Sequence, residues 1–364
     1  MEKNNEWYQK VLTTRDTKLW KELVDNIPSK DIYFTPEYNM LFEKGLSYEA
    51  ELFFYGNDNN YIIHPFFKKK INDLPFYDGI DILYDISSPW FYGGPLVFIT
   101  NEIIKEELLS NFLMKFHDFC TKNNIITEFV RLHPLIQNHL LLKDHIPLEK
   151  RWEIVYVDLT QDEEIIWNNL KKENRKAIRL AKKNNIEILV TRKEEDIKEF
   201  YMIYLEEMKR KHAEEFYFFS EDFFYNMFKL LKDHVQLFIA KYNGEVIAGS
   251  ILLGMGDFAH DYFRGSKPEF LRLCPNNLLV YTKILWAKEN NYKFFSLQGG
   301  QSKNDGILRF KLTFSESTLD FYTYSKIHDY KKYKLLCEER DKFDMLRGKE
   351  IIKSDYFPEY RKIK

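Results

Sequence analysis

The sequence predicts an α/β protein of the α+β kind: two domains, each a mixed, largely antiparallel sheet flanked by helices. Three observations lead there. The chain has 364 residues, more than one hydrophobic core usually serves. Short apolar runs alternate with amphipathic helical stretches along its whole length, the pattern of layered helices and strands. The alternation restarts at Trp152 after the turn-rich LLLKDHIPLEK, which sets the domains at 1–150 and 151–364. Apolar residues make up 45% and aromatic residues 17%, with 31 Phe and 24 Tyr. That suffices for two packed cores and excludes a disordered chain.

In the first half, AELFFYG (50–56) and NYIIHPFF (60–67) read as a hairpin around GNDN. Residues 106–123 are helical by period, and TEFVRLHPL (127–135) is a strand entering a proline-marked turn. In the second half a strand (153–159) leads to one long basic helix (162–185), a strand (186–190), and helices at 194–211 and 220–233. VQLFIAKYNGEVIAGSILLGM follows as a β-hairpin with Asn243-Gly244 at its tip, the dipeptide that suits a type I′ turn. A strand (258–264), a helix (276–290), a strand (293–297) and a final β segment (307–324) complete the order.

Composition narrows the function. Lys and Arg number 54 against 56 Asp and Glu, for a net charge of −2. A dedicated DNA binder is more basic, so no DNA partner is expected. Cys120, Cys274 and Cys337 are widely spaced without a C-x-x-C, which excludes a thiolate zinc cluster and suits a reducing compartment. The N-terminal MEKNNEWYQK lacks a signal-peptide core, and no apolar run reaches the ~18 residues of a membrane span. A cytoplasmic protein is expected. No metal-ligand spacing, G-x-S-x-G, P-loop or dinucleotide fingerprint occurs, so no metal and no permanently bound cofactor are expected.

The segment NNLLVYTKILWAKENNYKFFSLQGGQSKNDGILRFKLTFS (276–315) holds a helix, a strand ending in a glycine pair, and then D-G-I-L-R-F-K. With DIYFTPEYNMLFE (31–43), DISSPWFYGGPL (85–96), FVRLHPL (129–135), MKRKHAEEFYFF (208–219) and DYFPEYR (355–361), it resembles the Fem family of peptidoglycan bridge-forming acyltransferases. The element order of the second half also resembles that of the GNAT acetyltransferase superfamily. Two GNAT-like domains are therefore expected, the first a degenerate copy. The resemblance implies transfer of an acyl or aminoacyl group to an amine, with acyl-CoA or aminoacyl-tRNA as donor. The acceptor would be a nucleotide- or lipid-linked sugar or peptide, as in a cell-wall precursor or a surface-glycan amino sugar. The family carries Asp or His where this chain has Ser296 and Gly where it has Gln298. That departure leaves room for a rival, a GNAT-like binding module without chemistry that recognises a glycan or partner protein.

Acyl transfer needs cations or N–H donors aimed at a developing oxyanion. The resemblance puts Lys311 in that role, and a strand over 309–311 would set Arg309 on the same face. His260, Asp261 and Asp305 are candidate proton acceptors, His260 for a pKa near neutrality and Asp261 only if burial raises it. Donor phosphates would meet the helix start at Asn276-Asn277 and the glycine pair Gly299-Gly300, although LRLCPNN stands where acetyl-CoA users carry a glycine-rich loop. By resemblance, Tyr92, Gly93 and Gly94 border the acceptor, Arg131 meets its phosphates, and Tyr217 lies in a family-matching stretch. Residues 171–183 carry seven cations against one Glu, a face suited to tRNA or a polyphosphate.

Overall fold

The structure is a computed structural model that describes residues 6–46, 48–300, 306–349 and 356–362. The chain forms two compact units. The first comprises Met1–Pro28, Tyr33–Lys150 and Tyr322–Lys364, and the second comprises Ser29–Ile32 and Arg151–Phe321. The C-terminal stretch expected in the second domain thus belongs to the first unit. The reason is a set of contacts distant in sequence: the buried Tyr360 donates to the Asp85 carboxylate, which also takes the Arg361 guanidinium and Thr127 Oγ1, the last at 2.6 Å.

The first unit runs β1 (Tyr8–Thr13), α1 (Thr17–Asn26), α2 (Pro36–Leu46), β2 (Glu49–Asn57), β3 (Asn60–Lys70), β4 (Tyr84–Ser87), β5 (Leu96–Phe98), α3 (Lys105–Lys122), β6 (Ile125–Arg131) and α4 (His139–Leu142). Its sheet is ordered β1-β2-β3-β4-β6, with β5 on β3. The β2–β3 hairpin forms as expected. Its turn is fixed by Asn57 Oδ1, which accepts from the N–H of Asn59 and Asn60 at 3.1 and 3.0 Å. The helix α3 buries Leu108, Phe112, Phe116 and Cys120 at the i, i+4 spacing against Phe53, Ile62 and Phe66.

The second unit begins in β7 (Glu149–Asp158), followed by α5 (Glu163–Asn169), α6 (Lys172–Lys183), β8 (Glu187–Thr191), α7 (Glu194–Arg210), α8 (Glu221–Leu231), β9 (Val235–Tyr242), β10 (Glu245–Met255), β11 (Phe258–Ser266), α9 (Pro275–Glu289), β12 (Phe294–Gly299) and α10 (Gly306–Lys311). Its sheet is ordered β7-β12-β11-β10-β9-β8. Asn243 and Gly244 have φ of 51° and 82°, as the type I′ turn requires. The helices α6 and α9 pack Ile178, Ala181, Leu279 and Ile284 with Val157, Phe238 and Phe295 of the sheet. The last strand, β13 (Thr318–Ile327), pairs with β6 through Thr323–Ile327 and leads to α11 (Tyr330–Leu346). The predicted class, mixed sheets flanked by helices, is the one observed.

Two elements differ from expectation. The long basic helix is broken, because Leu170 and Lys171 are extended, with ψ of 141° and 149°. Thr313 C=O holds the break by accepting from Lys171 N at 2.9 Å and Asn174 Nδ2 at 3.1 Å, while Arg175 Nη1 donates to Asn168 C=O at 2.8 Å. The expected β segment over 307–324 is instead α10 followed by β13. Alternation within ILRFK is too short to fix a strand, and Leu308, Phe310 and Leu312 gain burial against the core from one short helix.

Candidate active site

In the second unit, β11 and β12 run parallel only where Phe258–His260 faces Phe294–Ser296. Beyond that, β11 continues beside β10, and β12 continues beside β7. The C-terminal end of α10 bridges the two parted strands. Lys311 is buried, and its Nζ donates to Gly299 C=O on β12 at 2.6 Å. The preceding Phe310 lies under the Arg264 guanidinium of β11, 4.9 Å from the ring centroid. Because the segment is helical, Arg309 does not share a face with Lys311 and is exposed, which corrects the strand-based expectation.

Asp261 sits at the centre of the charges. Lys283, a fully buried lysine on α9, donates to Asp261 Oδ1 and to Ser250 Oγ of β10. The Ser250 hydroxyl also lies 3.1 Å from Asp261 Oδ1, and Arg264 Nη1 lies 3.7 Å from Oδ2. Burial works to raise the Asp261 carboxyl, but the charges of Lys283, Arg264 and Lys311 bring it down to about 2. Burial pulls the Lys283 ammonium down to about 8, against the attraction of Asp261. Three cations thus face one carboxylate, and Arg264 Nη1 is buried without a hydrogen-bond acceptor among the described residues. Among the described residues, the cations around Asp261 outnumber the carboxylate.

His260, the residue before Asp261, points to the other side of the strand, as alternation requires. Its Nε2 lies 2.7 Å from Asp31 Oδ2, and its Nδ1 lies 3.3 Å from Gln298 Nε2, with all three residues buried. Asp305 lies outside the described residues.

The start of α9 is left-handed. Cys274 occupies the N-cap position with φ 60°, and no side chain of the described residues caps the first turn. Asn276 Nδ2 donates to Ser266 Oγ at 3.2 Å, and Asn277 Nδ2 donates to Asn174 Oδ1 at 2.8 Å. Gly299 admits no larger residue without movement, since a Cβ there would lie 2.5 Å from Trp152 Cδ1 and 3.1 Å from Glu153 C=O. Gly300 follows it, buried, directly after β12. Tyr217 is half-buried in a 3₁₀ turn, where its C=O accepts from Tyr204 Oη at 2.7 Å.

The remaining candidates belong to the first unit. Tyr92 is buried edge-on against Tyr33 at 5.4 Å and against His133 at 5.1 Å. Gly93 and Gly94 let the chain pass close to Pro89 and Leu132, each of which an added Cβ would meet at 2.6 Å. Gly94 also has φ 89°, a conformation that favours glycine. Arg131 supports this aromatic loop through Ser88 Oγ at 3.3 Å and Pro89 C=O at 3.3 Å.

Lys283, Ser250, Arg264, Asp31 and Gln298 did not emerge from the sequence. A signal for Lys283 existed: it interrupts the otherwise apolar LLVYTKILWA of a predicted helix. Gln298, standing where the resembling family carries glycine, signalled a left-handed backbone, and its φ is 65°.

Comparison with known proteins bears on the fold. Residues 168–312 match the family model of the acetyltransferase (GNAT) domain. A search of curated proteins finds no match. Among solved structures the chain is similar to FemX, with a TM-score of 0.67 at 14% identity over 90% of this chain and 99% of that one. It is also similar to a conserved protein of unknown function from Bacteroides thetaiotaomicron VPI-5482, with a TM-score of 0.55 at 10% identity over 88% and 99%. L-PGS from Bacillus licheniformis gives 0.53 at 16% identity over 86% and 92%. At such identities the likeness is one of fold. Lys311, Asp261 and Lys283 all lie within the stretch that matches the acetyltransferase (GNAT) domain, and the chain as a whole shares its fold with these structures.

Proposed function

We propose that the protein transfers an acyl group from an acyl-CoA thioester to an amino group of a cell-wall precursor or surface-glycan amino sugar. The observation that supports this best is the pair of cations where β11 and β12 part: Lys311 held at Gly299, and Arg264, whose buried Nη1 has no hydrogen-bond acceptor among the described residues. Attack of the amine on the thioester carbonyl places negative charge on its oxygen, and an ammonium and a guanidinium fixed beforehand stabilise that charge without rearranging. Collapse then breaks the C–S bond, and the proton given up by the amine goes to the leaving thiolate.

Of the three candidate bases, Asp305 lies outside the described residues, and the other two do not fit that proton's path. Asp261, brought down to about 2, is a weak base, and both His260 ring nitrogens are engaged. We read Asp261 as holding the cations in place and His260 as a positioning group. The uncapped first turn of α9, at Asn276 and Asn277, suits the donor's pyrophosphate. The aromatic loop around Tyr92, Gly93 and Gly94, carried by Arg131, is the proposed border of the acceptor.

The test is acyl transfer from acetyl-CoA to a panel of UDP-linked amino sugars and muropeptides, read by mass spectrometry. Lys311→Ala should lower the rate about 100-fold or more, and Lys311→Arg should recover only part, because a planar fork does not replace a compact ammonium. An unchanged rate in Lys311→Ala would remove Lys311 from the reaction.

A further inference from the structure

Gln298 adopts φ 65°, a left-handed conformation that costs a non-glycine residue of order 1 kcal/mol. The pairing of β12 with β7 slips by one residue between Ser296 and Gln298. Such a backbone persists only when its surroundings over-determine it. Two contacts do so here. The Gln298 N–H donates to Ser296 Oγ at 3.2 Å, and the Gln298 side-chain amide reaches His260 Nδ1 at 3.3 Å.

His260 is itself fixed. Its Nε2 lies 2.7 Å from Asp31 Oδ2, and both residues are fully buried. A carboxylate only accepts, so the proton sits on Nε2, and Nδ1 is left with the lone pair that the Gln298 amide requires. The next residue after Gln298 is Gly299, whose C=O receives the Lys311 ammonium at 2.6 Å. A continuous chain of contacts therefore runs from Asp31 through His260, Gln298 and Gly299 to Lys311.

We propose that Gln298 is a positioning residue: clamped by the Asp31–His260 pair, it holds the strained turn of β12 that aims the Gly299 carbonyl and so places the Lys311 ammonium. This rests on reading Lys311 as the charge that acts on the acyl group. The consequence is specific. The position of Lys311 depends on an amide that touches neither donor nor acceptor, and glycine, which fits the backbone better, would serve the site worse.

The experiment uses the full chain and two variants. Gln298→Gly relieves the strain and removes the clamp. Gln298→Asn also tolerates the left-handed backbone, but its amide is too short to reach His260. Lys311 is acetylated by trace acetic anhydride across pH 6–11, and its peptide is quantified by mass spectrometry, a readout that needs no substrate. Loss of the aimed carbonyl removes an acceptor that favours the ammonium, so in both variants the labelling midpoint should fall by about 0.5–1 unit. The same variants should lose about tenfold in kcat for acyl transfer with KM within twofold. Labelling midpoints that match the wild type in both folded variants would overturn the proposal, whatever their activity. The two readings separate cleanly. If Lys311→Ala keeps full activity while the midpoints move, the acyl-transfer role fails and the positioning stands. If Lys311→Ala is inactive while the midpoints stay, the reverse holds.

Discussion

Glu128 in the first unit and Asp261 in the second are both buried carboxylates in hydrogen-bonded networks, and the two networks differ in their partners. In the first unit, Glu128 on β6 accepts from Tyr324 Oη at 2.6 Å and lies 3.0 Å from His64 Nε2 and 3.4 Å from His328 Nε2. His328 continues to His117, with the two Nδ1 atoms 2.9 Å apart. Burial would raise the Glu128 carboxyl, but the neighbouring His328 and His64 hold it far below the usual range. These partners are histidines and a phenol, packed among Phe53, Phe66, Phe112 and Phe116. In the second unit, Asp261 faces Lys283, Arg264 and Lys311. A carboxylate answered by rings that share a few protons closes a core. One outnumbered by fixed cations leaves a field that a developing anion can use. Burial and pKa alone would rank both as functional sites. Partner charge tells them apart.

The difference between the two networks rests most heavily on Lys283. Its ammonium is buried at 0% exposure and tied to Asp261 and Ser250. Lys283→Ala leaves a buried carboxylate without its nearest cation and should cost about 3–5 kcal/mol in urea unfolding. Replacing both charges, Lys283→Met with Asp261→Leu, should restore much of that stability yet give little acyl transfer. A single substitution that costs less than about 1 kcal/mol would show that the pair does not tie α9 to β10 and β11.

Acid separates the two carboxylates next. Both are held below their unfolded values, so each contributes stability that is present above the ordinary carboxylate range and lost as pH falls through its folded value. For Asp261 that window runs from 3.8 down to about 2, which corresponds to about 2 kcal/mol. Denaturant unfolding at pH 5 and pH 2 should show this loss in the wild type and not in Asp261→Asn. The Glu128 contribution should survive further into acid, since its carboxyl is held lower. If Asp261→Asn loses as much as the wild type over this window, the cations around Asp261 are not what sets its proton affinity.

Much of the fold was legible because it rests on local rules. The hairpin at Asn243-Gly244, the apolar spacing of α3 and the strand–helix order of the second unit need only neighbours in sequence. What failed needed distant partners. The break at Leu170-Lys171 is held by Thr313, more than a hundred residues on. The helix α10 displaced a strand because burial against the second core outweighed a three-residue alternation. The candidate site was legible in Lys311 and Asp261 but not in Lys283, since a lysine inside an apolar helix face means something only once two opposing strands supply Ser250 and Asp261. The tail was missed for the same reason, as Tyr360 and Arg361 find Asp85 across the chain. Tyr360→Phe should cost about 1 kcal/mol, the value of one hydrogen bond whose acceptor keeps other partners. Calorimetry of the full chain checks it, and an unshifted transition would show that the tail is not tied down at Asp85.

The smallest expected effect tests the donor. The structure sorts the cations around α6 by use. Arg175 binds the carbonyl of Asn168 at 2.8 Å, Lys171 lies 3.5 Å from Glu316, Arg179 lies over Trp167 at 5.4 Å, and Lys182 lies over Tyr281 at 5.7 Å. Lys172, Lys176 and Lys183 are exposed and, at spacings of four and seven, share one helical face. Reversing these three to Glu should therefore leave fold and stability nearly unchanged. It should move the KM for acetyl-CoA by less than twofold, because the proposed pyrophosphate site is the first turn of α9 and surface charges are screened over about 8–10 Å in physiological salt. If this face instead received tRNA, binding would fall steeply with salt, by roughly 0.7 in the log–log slope per phosphate neutralised on a single strand. A gel shift with total tRNA across a salt series, wild type beside the triple variant, decides the matter. Tight, salt-sensitive binding that the variant loses would turn the donor from a thioester to an aminoacyl ester. Lys311 would keep its role, since the same oxyanion forms in either case.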